Sequence, residues 1–396
     1  MGVMDTPTTL RISRPDDLLA VLPYRLGFRP RNSVVLLGLR GPRGRLGLVS
    51  RADLADVGDP ATGTGLLRDI ADLMHEDGAR DVFVALYCDL PRDALAADPV
   101  VARALTHLRD VTGWADPPGP WVVGDRTYGL WGTAQECGPA TGEVADLERG
   151  EVAATMVLHG LTVAADREHL GVPRTGDVQR RRHASRAARE ARRDVAVVRA
   201  RCGGGAPVPG AVFGLSDAVP AADQGEMEVW REGELRRWSA LVAHARRGAA
   251  LPADELGRLS AGLDDELVRD GVLCSVVGPP AAHLPGRDPV GGTLDLVMLA
   301  GAPQPDPVRV GPAEHVLRAL AACVPRRAGA QALAVLAFLA WWQGDGARAD
   351  VLAAQALRAV PGTRLAEIVG KLLAARLAPG WVHGAGNAPA SGPPIR

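Results

Sequence analysis

An apolar run of strand length, SVVLLGL (33–39), and a second strand-length segment, RLGLVSRADL (45–54), flank the short segment RGPRG, and this pairing constrains the fold more than any other feature. A continuous apolar run of this length reads as a strand. A short connection rich in Gly and Pro lets the two pair as an antiparallel hairpin. Just before them, SRPDDLLAVLPYRLG carries a capping signal at Ser13 and Pro15 in its first turn, so a short helix is predicted, ended by Pro23 and Gly27. After the hairpin the pattern predicts a helix at about 60–76, a strand ARDVFVALYC at 79–88, a helix at about 92–111 and a strand pair in PWVVGDRTYGLW, 120–131. Strands alternating with helices of this length define an α/β domain with a mixed sheet, placed at residues 1–165.

The rest of the chain is different. Residues 174–201 hold ten arginines against Asp177, Glu190 and Asp194, and RCGGGAPVPG (201–210) follows as a Gly/Pro linker. Residues 166–223 are therefore expected to connect two domains. From 224 to 378 nearly every stretch has helical length and period, with breaks at Pro252, Gly271, 278–292 and 301–312. The tail 379–396 has the composition of a disordered segment. AGAQALAVLAFLAWW (328–342) is the longest apolar block, short of the roughly 20 residues that span a bilayer, and is predicted to be a buried helix. Leu333, Ala349, Ala353, Ala356 and Pro361 fall at the spacings of a tetratricopeptide unit, which predicts one TPR-like helix pair over about 330–361.

Composition excludes several classes. A formal net charge of −1 gives no global field toward nucleic acid or acidic lipid. Lys371 is the only lysine, so the many arginines partly reflect a GC-rich genome and an arginine cluster weighs less than usual. Cys88, Cys137, Cys202, Cys274 and Cys323 are odd in number and scattered, without zinc spacing, which fits reduced thiols in the cytoplasm. The first residues lack the apolar core of a signal peptide; their M-G-x-x-x-[ST] match to a myristoylation pattern is a chance one in a bacterium.

The chain resembles an actinobacterial family grouped as domain of unknown function 4192. The matching residues are Pro15-Asp16-Asp17-Leu18-Leu19, Pro23-Tyr24, Leu26-Gly27-Phe28, Pro30 and Ser33-Val34-Val35, then Arg51, Asp53 and Leu54, and near the far end LAFLAWWQGDG (336–346) with the helix after it. Members of the family often carry a cysteine cluster after an R-x-Y/W element. Here Arg126 and Tyr128 are followed only by Cys137, and the resemblance implies no activity.

Topology suggests where chemistry could gather. In the hairpin, Arg29, Asn32 and Ser33 lie beside Arg51 and Asp53. A strand running parallel to the second would bring Tyr87, Cys88 and Asp89 to the same rim, and a further parallel strand Gly124 and Asp125. Tyr24 and Phe28 would then wall the rim, and Arg29 and Arg51 would offer positive charge to an anion. Asp53, Asp89 and Asp125 could hold a hard cation such as Mg²⁺, although Asp after a strand commonly caps a helix or makes a turn. Core packing is the ordinary role for Tyr24 and Phe28, and a hydrogen-bonded network for Arg51 and Asp53. Ser33 has no His partner to activate it. GDPATGTG (58–65) has P-loop glycine spacing but lacks the lysine, and reads as a Gly-rich turn.

On the arginine-rich helix, Ala184, Ala187, Ala188, Ala191, Val195 and Val198 share one face, and Arg181, Arg182, Arg186, Arg189 and Arg193 are candidates for a polyanion, against a plain solvated face. No catalytic motif occurs, and His159, His169 and His315 are isolated. These features predict a cytoplasmic, non-catalytic interaction or regulatory module with a protein partner or self-association. The rivals are an enzyme or small-anion sensor at the strand rim and a nucleic-acid binder through the arginine helix.

Overall fold

The computed structural model describes residues 14–41, 44–112, 119–132, 140–158, 161–202, 221–278, 297–298, 302–375 and 377–381. The expectations on Ser13, the first residues, Cys137, His159, the 203–210 linker and the tail beyond 381 lie outside them. The chain divides into two compact units, Met1–His169 and Leu170–Arg396.

The first unit is built on one six-stranded sheet. Helix α1 (Pro15–Leu26) is followed by β1 (Ser33–Arg40) and β2 (Arg45–Asp53). Pro15 sits at the first helical position, and the Asp17 carboxylate accepts a hydrogen bond from the Arg14 N–H (3.1 Å), which closes that end. Pro23 lies inside α1 and does not end it. The end comes at Gly27, whose φ of 76° is the left-handed conformation that a helix C-terminus favours.

Strands β1 and β2 pair antiparallel, with Ser33 opposite Asp53 and Val35 opposite Arg51. Short α2 (Leu54–Val57) and α3 (Gly63–Glu76) lead to β3 (Ala79–Tyr87), then α4 (Arg92–Leu95), α5 (Pro99–Thr112), β4 (Trp121–Val123), β5 (Thr127–Leu130) and β6 (Gly142–Glu143). The spatial order is β2-β1-β3-β4-β5-β6. Strand β3 thus runs in the direction of β2 but pairs with β1, and β4 lies parallel to β3. Because β1 has neighbours on both sides, its run is covered throughout: Val34, Val35, Leu36 and Leu37 are all buried. Val34 and Leu36 pack with Leu67, Ile70 and Met74 of α3 and with Leu105 and Leu108 of α5. Val35 and Leu37 point to the other face. Each such burial contributes roughly 1.5–3 kcal/mol. Helices α6 (Val144–Arg149) and α7 (Glu151–Leu158) complete the unit, α7 through Val152 against Ala20 and Val21 of α1.

The second unit is helical. Helix α8 (Val178–Arg201) is the arginine-rich segment, and it packs within this unit, on α10 (Ala253–Gly262). Ala184, Ala187, Ala188 and Val195 form its buried face, as its periodicity predicts. A Cβ on Gly257 would stand 2.2 Å from the Ala184 carbonyl oxygen, so only glycine permits this approach. Helix α9 (Ala221–Arg246) anchors through Trp238, whose Nε1 donates to Ser275 Oγ (2.9 Å) on α11 (Glu266–Val277). Gly271 does not break α11; it gives room to Leu235, whose Cδ2 would lie 2.8 Å from an added Cβ. Helix α12 (Pro307–Cys323) likewise carries Pro312 inside it.

Helix α13 (Ala330–Trp342) is the core of this unit: of its thirteen residues all but Gln331 are buried. A helix apolar on every side has to be surrounded. It is packed by α12, α14 (Gly346–Ala359) and α15 (Arg364–Ala374). The turn QGDG joins α13 to α14. Gly344 takes φ 82° and the Asp345 carboxylate caps α14 by accepting from the Arg348 N–H (3.0 Å). Among the described residues no helix is long and apolar enough to cross a membrane.

Candidate functional site

The strand ends do meet at one rim. Ser33 lies between Asp53 on β2 and Tyr87 on β3, and Tyr87 pairs with Val123 on β4. At its centre is a closed network. Ser33 is 0 % exposed; its hydroxyl donates to the Arg31 carbonyl (2.5 Å) and accepts from Arg51 Nε (2.8 Å). The Arg51 Nη2 reaches Asp53 Oδ1 (2.6 Å) and the Arg31 carbonyl (3.4 Å), and this side chain is only 15 % exposed. A second clip sits beside it. Asn32 Nδ2 donates to Asp89 Oδ2 (3.0 Å), while Asn32 Oδ1 accepts from the Asp89 N–H (3.1 Å). Asn32 takes φ 41°, a left-handed conformation that Asn tolerates, and its carbonyl accepts from the Leu54 N–H (2.8 Å). Burial pushes the Tyr87 hydroxyl pKa well above its ordinary value, so that side chain stays a neutral phenol.

The other expected members are placed differently. Phe28 is 2 % exposed, part of the core rather than a wall, and its strand-like bridge to Ala164 fixes it there. Tyr24 is half-buried on α1. Arg29 is exposed and paired with Glu148 of α6 (2.6 Å). Asp125 stands in the 124–127 turn, 72 % exposed, 3.8 Å from the guanidinium of its neighbour Arg126. The three aspartates therefore share a rim without forming a ligand set: Asp53 serves Arg51, Asp89 serves Asn32, and Asp125 faces solvent. Among the described residues no group of three His, Cys, Asp or Glu side chains could hold a metal ion. The Mg²⁺ expectation has no support in this arrangement.

The Gly-rich turn before α3 is occupied by its own carboxylate. Asp59 Oδ1 accepts from the Ala61 N–H (2.9 Å), the Thr62 N–H (2.8 Å) and the Thr62 hydroxyl (2.9 Å). These bonds, the Thr62 hydroxyl first, hold its carboxyl below the usual range. The Ala61 and Thr62 N–H groups are thus turned onto Asp59, whose negative charge opposes a phosphate at this turn.

Arginines of α8 fall into two sets. Arg180 donates to the Leu251 carbonyl (2.7 Å) and Cys323 Sγ (3.3 Å), Arg192 to Asp264 (2.8 Å) and Arg199 to Asp265 (3.4 Å). Arg182, Arg186, Arg189 and Arg193 face outward, and Arg181 is half-buried on the flank. Sequence reasoning missed Asp265, which takes Arg199, both Nε and Nη2 of Arg231 (3.1 and 3.2 Å), and the first N–H groups of α11. Its signal was present: DDE at 264–266 directly before an apolar run is a helix start.

Fold and rim together define a protein of two units, α/β then helical among the described residues, whose conspicuous polar cluster is a framework of paired side chains. The chain belongs to the family described as Domain of unknown function (DUF4192), whose model matches residues 15–380. No curated protein and no solved structure matches it.

Proposed function

We propose that this protein is a non-catalytic interaction or regulatory module of the cytoplasm. The observation that carries the reading is the state of Ser33 and Arg51. The groups best placed for chemistry spend their hydrogen bonds on their own chain, and both are shielded from solvent. A nucleophile would need a base in reach of Ser33 Oγ, and its two partners are a carbonyl and a guanidinium. The α13–α14 pair supports the TPR-like part of the reading; α13 is itself sealed, so a partner would meet the outer helices around it. The connection of the pair is three residues long, and Ala349, Ala353 and Ala356 are buried as the small positions of a TPR-like hairpin would be.

The test sets the reading against its rival, an anion or nucleotide site at the rim. A thermal-shift series with nucleotides, inorganic phosphate and Mg²⁺ is expected to leave the melting temperature unchanged. A ligand present at 100 times its Kd would add about 2.7 kcal/mol, a shift easily seen. Such a shift, lost in Arg51→Met, would overturn the proposal in favour of the rim site. Tagged protein recovered from its native host is expected to bring a stoichiometric partner with it.

A further inference from the structure

We infer that the outward face of α8 binds the phosphate backbone of nucleic acid. The inference rests on the reading of the chain as an interaction module and names a surface and a partner for it. The periodicity is the first observation. At 3.6 residues per turn, Arg182, Arg186, Arg189 and Arg193 fall within an arc of about 60°, opposite the buried Ala184, Ala187 and Ala188. They span roughly 16 Å of helix axis, one guanidinium about every 5–6 Å.

The second observation is their freedom. Among the described residues Arg182, Arg189 and Arg193 make no ion pair or side-chain hydrogen bond, and Arg186 only approaches Glu190 (3.9 Å). Glu190 and Asp194 lie on one flank of the stripe, not in it. Arginines that merely follow codon usage would scatter over the solvent arc. Here the helix sorts its arginines: Arg180, Arg192 and Arg199 are bound inward, and four of the others line up outward.

The chemistry of the stripe selects among anions. Guanidinium forks match phosphate oxygens, and duplex DNA presents about one charge per 1.7 Å of axis, so four contacts fit within the span. A lipid surface would need bulky apolar side chains on the same face, and an acidic peptide an apolar anchor. Between Arg182 and Arg193 that arc carries the four arginines and no apolar side chain. Helix α8 has no Phe, Tyr or Trp, and His183 lies off the arginine arc, so the stripe offers no stacking platform and binding follows the backbone without reading sequence.

The experiment measures fluorescence anisotropy of the full chain with a labelled 20-bp DNA duplex, the corresponding single strand, an RNA duplex and poly-glutamate. Binding to the duplex is expected, with a log–log salt slope of about −3.6 for four phosphates, hence roughly 150-fold weaker between 50 and 200 mM salt. Arg189→Gln should lower that slope by about 0.9. The fourfold Gln variant at 182, 186, 189 and 193 should lose binding with its melting temperature intact, since these side chains hold nothing in place. A single strand bound with a slope near −2.8 would place the same backbone contact on unpaired nucleic acid. Unchanged binding by the fourfold variant, or preference for poly-glutamate, overturns the inference and leaves the interaction module standing. Absence of both nucleic-acid binding and any co-purifying partner overturns the two together.

Discussion

Replacing Asp265 tests how the helical unit is held. This residue is almost fully buried and does two jobs with two oxygens. It caps α11 through the Leu267 and Val268 N–H groups (3.1 and 3.3 Å), and it ties α9 and α8 to the α10–α11 turn through Arg231 and Arg199. Losing the cap costs about 1 kcal/mol. Losing the carboxylate from a buried pair costs about 3–5 kcal/mol when both partners are sealed in. Arg231 and Arg199 are each about one-third exposed, so water re-solvates them and about 1–2 kcal/mol remains for that part. Asp265→Ala should therefore cost about 2–3 kcal/mol. Asn caps a helix as well as Asp does, so Asp265→Asn should keep the first contribution and lose the second, about 1–2 kcal/mol. At about 2–4 °C per kcal/mol for a unit of this size, the alanine variant should melt roughly 4–12 °C lower, with Asn in between. Thermal and urea melts followed by circular dichroism read both. Should Asn prove as damaging as Ala, the cap is irrelevant; should Ala stay within about 0.5 kcal/mol of the parent, the node holds nothing.

Two further perturbations probe the same unit. Gly257→Ala puts a Cβ 2.2 Å from the Ala184 carbonyl, so α8 and α10 must part; a loss of about 1–3 kcal/mol or more is expected in urea unfolding, and an unchanged midpoint would refute the contact. Burial raises the Glu234 carboxyl above its ordinary value against the pull of Arg237, so the folded state binds its proton more tightly than the unfolded one. That contribution is whole below the unfolded pKa, about 4.5, and is lost as pH rises through the folded value; Glu234→Gln should gain stability relative to the parent from pH 4 to 7, and a flat difference would refute it.

How far the sequence disclosed these features depends on the range of the forces involved. The hairpin was legible because an apolar run of strand length, a tight turn and a second strand-length segment are all local signals. Pairing of β3 with β1 was not, since a run such as DVFVALY fits either side of the hairpin and only the packed sheet decides. Prolines misled for a related reason. Pro23 and Pro312 mark ends by local rule, yet packing of Leu26, and of Val316 and Leu317, carries α1 and α12 past them. At the rim, the strand ends could be brought together on paper because register follows from pairing. Whether Arg51 would face a ligand or Ser33 depends on side-chain distances of an ångström, which no periodicity encodes.

Arginine shows the same limit from the other side. In a chain with a single lysine every cationic role falls to Arg, so counting arginines cannot separate a structural pair from a binding group. Burial and partners do separate them. Arg51 and Arg192 sit where desolvation would be costly unless a carboxylate, carbonyl or hydroxyl took up their donors, and each has such partners. Arg182, Arg189 and Arg193 sit where water already satisfies them, so folding gains nothing from their charge. A like-charged row at i, i+4, i+7 and i+11 repels itself by a few tenths of a kcal/mol per pair. A cost with no return in the folded chain is what a surface shaped for an anionic partner would carry, because the repulsion is relieved only when the phosphates arrive.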